Sequence, residues 1–199
     1  MSRGPMLTLV TGHKGVDLHA ATARRVMQDR LAGGDRLADL RRCAFHVFGG
    51  AVGGPGAVAP GIDELLATGR YFNPNKHHYG CFASAASFAW EQGEGQALPK
   101  DWPGQAQSSD RGVVTATLWD DLLGGAAPAG CTAIDVAAWE RGQTSAVVSG
   151  SLWRLVLRGE AATAPAVAAT LAVARGGHDG LLVNPHMECW LVAAGTLGA

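Results

Sequence analysis

The stretch YFNPNKHHYGCF, Tyr71 to Phe82, gathers the side chains best suited to chemistry: Lys76, His77 and His78 beside Asn73, Asn75, Tyr79 and Cys81. A lysine and an imidazole can hold a phosphate or carboxylate while Asn73 orients a substrate or a loop. The same residues also suit a structural role, in which Asn73-Pro74 is a helix-terminating turn and the histidines lie exposed or at an interface. Neighbouring residues of a strand point to opposite faces, so His77 shares one face with Asn75 and Tyr79, and His78 the other with Lys76 and Gly80. Both imidazoles can enter one compact site only if the strand bends.

A second candidate is GHKG, where His13 and Lys14 precede Gly15 at the end of a short apolar run. A strand-to-helix turn can offer backbone N–H groups to an anion there, although the Gly-x4-Gly-Lys-Ser/Thr spacing of a phosphate loop is missing. For metal, His13, His19, His46, His77, His78 and His186, with Cys81 and Cys189, supply donors, but none stand at His-x3-His or Cys-x2-Cys spacing. Neither a metal nor a cofactor is expected. Cys81 has His78 three residues before it as a local base, yet a buried, inert thiol is the plainer role. Catalytic residues are left unassigned, since no nucleophile elbow, dinucleotide-binding glycine pattern or Walker motif occurs.

These residues need elements to position them. MLTLVTG predicts a strand, and VDLHAATARRVMQDRL a helix with Val16, Ala20, Ala23, Val26, Met27 and Leu31 as its apolar face and Asp17 as cap or first-turn acid. LADLRRCAFHVFGG predicts a strand that buries Cys43, Phe45 and Val47; Gly49 to Gly61 reads as a loop, GIDELLATG as a short helix and KHHYGCFAS as a closing strand. Glu91 to Gly112 has a linker's composition. Beyond it, GVVTATLWDDLL opens a second set of elements, TAIDVAAWERG is ambiguous, and SAVVSGSLWRLVLRG is a long strand or a hairpin. TAPAVAATLAVARGG is a helix and MECWLVAAG a strand. The expectation is an α+β protein of two ferredoxin-like halves, 1–90 and 113–199, joined by a linker at 91–112, with helices on one face of antiparallel sheets.

Composition bounds the partners. With 47% hydrophobic residues and 28 glycines in 199, the chain can build a packed core with many turns. Its formal charge of −1 is split: 10 Lys/Arg face 6 Asp/Glu up to Ala83, and 6 face 11 from Ser84 onward. That split lacks the clustered basic footprint of a nucleic-acid binder. No run approaches a membrane span, and the start lacks a signal peptide's apolar run, so a cytoplasmic protein with four free thiols is expected.

The halves also resemble each other. Leu65, Leu66, Asn73, Pro74 and Tyr79 in the first match Leu181, Leu182, Asn184, Pro185 and Trp190 in the second, which implies a degenerate tandem duplication. GLLVNPHMECWLV, with HKGVDLHAATARRVMQDRL and the order of elements after it, resembles the small subunit of bacterial phosphoribosylformylglycinamidine synthase. That family typically closes its second helix with a Leu-Leu-x-Asn-Pro turn, followed by a glutamate and an aromatic, here Glu188 and Trp190. The resemblance implies a non-catalytic subunit of purine biosynthesis that assembles with a large ATP-dependent synthase subunit and a glutaminase subunit and supports ammonia transfer. The chain departs from the family in its doubled length, its glycine-rich insertion and its elaborated first turn. Partner or ligand contacts are expected at Lys14, Asn73, Asn75, Lys76, His77, His78, Asn184, His186 and Glu188. An alternative is a stand-alone enzyme or metabolite-binding protein that uses the patch at 73–81 for an anionic small molecule; a ligand-sensing module is a third reading.

Overall fold

A computed structural model of the chain describes residues 6–49, 60–84, 105–107, 119–142, 147–193 and 195–197. The first strand, β1 (Met6–His13), is followed by helix α1 (Leu18–Arg30), whose N-cap Asp17 accepts hydrogen bonds from the backbone of His19 and Ala20. Strand β2 (Leu37–Gly49), helix α2 (Ile62–Ala67) and strand β3 (His77–Ser84) complete the first half. The second half contains a single-turn helix α3 (Trp119–Leu122), strands β5 (Cys131–Glu140) and β6 (Val147–Arg158), helix α4 (Ala164–Ala172) and strand β7 (Glu188–Val192). A three-residue strand, β4 (Gln105–Gln107), pairs with β3 at the sheet edge. It falls inside the segment read from composition as a linker; the rest of 91–112 and most of the glycine-rich insertion lie outside the described residues.

The strands form one antiparallel sheet in the order β4-β3-β1-β2-β6-β5-β7. The two halves are thus a single sheet joined through the β2/β6 pair. The ambiguous TAIDVAAWERG is a strand because it lies in the interior of the sheet, buried on both faces from Ala133 to Trp139, where β-branched and aromatic side chains pack well. A ferredoxin-like split unit would place the two strands joined by α1 parallel, with a third between them. Here β1 and β2 are direct antiparallel neighbours.

Helices α1, α2 and α4 cover one face; the single-turn α3 lies on the other, so the expected placement of all helices on one face holds only for the longer three. Met27, Ala168 and Leu171 pack on Ile134, Leu155 and Leu157, while Leu65 packs with Leu7, Leu9 and Tyr79. The other face buries Met6, Val10, Cys43, Phe45 and Val47 under Leu122, Leu123 and Leu197. Two residues assigned to the apolar face of α1 do not serve it: Val16 is 79% exposed, being ahead of the helix, and Val26 is 38% exposed.

The register is two-fold symmetric. Ala44 faces Ser151 at the β2/β6 junction. Moving outward on one side, Ala44 faces Thr11 and Thr11 faces Tyr79; on the other, Ser151 faces Ala138 and Ala138 faces Trp190. Tyr79 and Trp190, matched by sequence, therefore occupy equivalent places. The double leucines do not: Leu65 and Leu66 belong to α2, whereas Leu181 and Leu182 follow α4 and donate backbone hydrogen bonds back to Leu171 and Ala172.

Candidate functional site

The turn before β3 is built by Asn73. Its carbonyl accepts from the backbone N–H of Lys76 (3.0 Å) and His77 (2.8 Å), and its Oδ1 accepts from the N–H of Asn75 at 2.9 Å. A short polar side chain that closes its own turn in this way is the usual reason for asparagine before proline in a connection. Lys14 clamps the turn from the end of β1, donating its backbone N–H to Lys76 O (2.9 Å) and its ammonium to Pro74 O (2.7 Å).

The turn before β7 repeats this construction. Asn184 O accepts from Met187 (3.0 Å) and Glu188 (2.8 Å), and its Oδ1 accepts from His186 N–H at 3.1 Å. Arg141 stands in the place of Lys14: its N–H donates to Met187 O (2.8 Å) and its guanidinium to Pro185 O (3.1 Å). Glu188 Oε2 accepts from Asn184 N–H at 2.7 Å, where His77 Nδ1 faces Asn73 N–H at 3.4 Å. Because the strands alternate in direction, the two turns lie at opposite ends of the sheet. Lys14 with 73–78 and Asn184, His186 and Glu188 are thus two sets, and do not form one site.

His77 and His78 point to opposite faces, as strand geometry requires. The His77 ring meets His13 edge-on, with centroids 5.1 Å apart, and lies 6.4 Å from Phe72. Burial, then the neighbouring His13, Lys76 and His78, lowers the pKa of His77; burial, Lys14 and His13 lower that of His78. Both are therefore biased toward the neutral ring, a hydrogen-bonding rather than a charged surface at neutral pH. Lys76, Asn75 and His186 are exposed.

Cysteine chemistry is disfavoured by placement. Cys81 is buried beside Tyr79, and burial pushes its thiol up to about 12; Cys43, whose Sγ donates to Leu122 O at 3.4 Å, is pushed up to about 12 for the same reason. A thiol at that pKa carries almost no thiolate at neutral pH. Among the described residues, no group of three or more His, Cys, Asp or Glu side chains could hold a metal ion.

Three polar arrangements escaped sequence reading. Arg154 and Asp135, both fully buried, form a two-pronged ion pair at 2.8 and 3.0 Å, and Arg154 also donates to Asp120 at 2.7 Å. Burial acts against the guanidinium's charge, but the two carboxylates outweigh it and raise its pKa. His46 meets Ser149 Oγ through Nδ1 at 2.8 Å and lies against Tyr71 with the ring planes tilted by 53°; burial, aided by Arg70, pulls it down to about 4. The third is a cleft of about 510 Å³ where β1 ends but β2 continues, walled by the first turns of α1 and by residues 121–124. Arg24 and Arg41 both hold Asp39, at 3.1 and 2.8 Å, and Arg42 holds Asp17 at 2.9 Å. The doubled Arg41-Arg42 was the one visible signal: neighbours on a strand point to opposite faces, and both line this cleft because the pairing of β1 with β2 stops at Gly12 and Cys43 and leaves the edge of β2 open beside them.

No family model, no curated protein and no solved structure matches the chain, so the site rests on its own geometry.

Proposed function

We propose that the chain is a fused pair of related three-stranded halves acting as a non-catalytic assembly subunit. In this reading it resembles the small subunit of bacterial phosphoribosylformylglycinamidine synthase, and supports ammonia transfer between a large synthase subunit and a glutaminase subunit in the cytoplasm. The observation that carries it is the two-fold register about Ala44 and Ser151. A small subunit that pairs with a second copy has its counterpart in one chain containing both members of the pair. The matching turns at Asn73 and Asn184, each clamped by a cation from the end of the neighbouring strand, strengthen the inference of duplication. Histidines biased toward the neutral ring and the buried thiols of Cys43 and Cys81, pushed up to about 12, suit a contact surface better than a nucleophilic centre.

The test is reconstitution with the synthase and glutaminase subunits of the same cell. Adding the chain should raise synthesis driven by glutamine and leave synthesis driven by free ammonia unchanged. Equal glutamine-dependent synthesis with and without the chain would overturn the proposal.

A further inference from the structure

We propose that the cleft beside α1 is a binding site for the acid group of a small phosphate- or carboxylate-bearing metabolite, gripped by Arg41 and Arg42. At about 510 Å³ the cleft is of small-molecule size. Its guanidiniums are already aimed: Arg41 and Arg42 are each tied through Nε, to Asp39 and Asp17 respectively. Asp17 spends its remaining oxygen on the N-cap of α1, and Asp39 spends its own on Arg24 and on the N–H of Leu40. Among the described residues, nothing accepts a hydrogen bond from the Nη groups of Arg41 or Arg42. The Arg42 guanidinium also lies over the Trp153 ring, 5.7 Å from Cζ to centroid, which fixes its plane and leaves its Nη hydrogens directed outward; two tethered forks beside a strand edge are preorganised for an acid that accepts several hydrogen bonds.

The symmetry of the fold shows that the packing of the sheet does not require these residues. The positions equivalent to His13, Arg41, Arg42 and His78 in the other half are Glu140, Val148, Ser149 and Cys189, as the pairing registers relate them. The turn residues are kept in both halves; the cleft's cations and imidazoles occur in one. Gly12 contributes space: a Cβ there would lie 2.6 Å from His78 Nε2, so glycine lets the ring cross β1 to line the cleft. The opposite wall carries Asp121, a carboxylate available to a hydroxyl or amine on the same ligand.

The proposal goes beyond the assembly reading and needs no partner, so the two fail separately. The isolated chain, labelled with nitrogen-15, would be titrated with inorganic phosphate and, separately, with succinate at constant ionic strength, following backbone resonances. Saturable shifts at Gly15, Arg42 and His78 with either probe are expected, and which probe saturates first distinguishes a phosphate from a carboxylate ligand. Arg41→Gln and Arg42→Gln should each weaken binding about tenfold or more. Gly15 has open space around its Cβ position, so Gly15→Glu should fold normally and repel the anion even where an arginine variant does not fold. Non-saturating shifts with both probes, or affinity unchanged in Gly15→Glu, would overturn the proposal.

Discussion

Arg154 and Asp135 show how much one residue pair can decide. Both have no exposed surface, and Asp135 also receives the backbone N–H of Leu197 at 2.6 Å, so the pair ties the core to the last described residues. Removing one partner strands a charge in the interior. Arg154→Met should lower unfolding free energy by about 3–5 kcal/mol, measured by urea titration. Arg25→Ala, which breaks an exposed pair, should change it by no more than about 0.5 kcal/mol. His46 sets a pH dependence. Held down at about 4 against an ordinary 6.5, it is neutral in the folded protein where the unfolded chain is protonated. The unfolded state then binds more protons, so stability is lost as pH falls through 6.5, with no further loss from this group below about 4. His46→Phe should remove about 1.4 kcal/mol per pH unit from the slope of stability between those values, read from denaturation midpoints across pH. Neither feature was legible in the sequence: Arg154 in SLWRLVL and Asp135 in TAIDVAAW look like breaks in apolar patterning until the sheet places them on neighbouring strands.

At the scale of elements, periodicity identified most of the structure. Strands β1, β2, β3 and β7 and helices α1, α2 and α4 lie where alternation or helical spacing put them, and the Asp17 cap was visible as an acid before an apolar-periodic run. What failed was partnership. No sequence pattern states that β2 is long enough to pair with β1 on one edge and β6 on the other, and that pairing merges two expected sheets into one. The Asn-Pro turns were legible because their chemistry is local, each asparagine bonding to residues within four positions. Asn73→Ala and Asn184→Ala should each cost about 1 kcal/mol in denaturant titrations, the loss expected for a side chain that caps a backbone donor. Gly180→Ala should cost more than either. Its φ is +63°, and a Cβ would strike the backbone of Val173 and Ala174.

For the whole molecule, the two-fold register about Ala44 and Ser151 makes one chain resemble a closed dimer, with the turns at Asn73 and Asn184 displayed at opposite ends. Such a body offers two similar contact surfaces with different side chains, His77 and Lys76 at one and Glu188 and Met187 at the other, which suits a subunit that bridges two unlike partners. Sequence resemblance pointed to this role through a dozen residues around Asn184; the match of registers across both halves became visible only with the sheet in place. The most direct measurement is affinity capture of the tagged full chain from its own cell extract at low salt, followed by mass spectrometry, with a His77→Ala/His78→Ala variant alongside. Recovery of a large ATP-dependent synthase subunit with a glutaminase, reduced in the variant, is the expected result. Recovery of the chain alone, in wild type and variant alike, would contradict the assembly role.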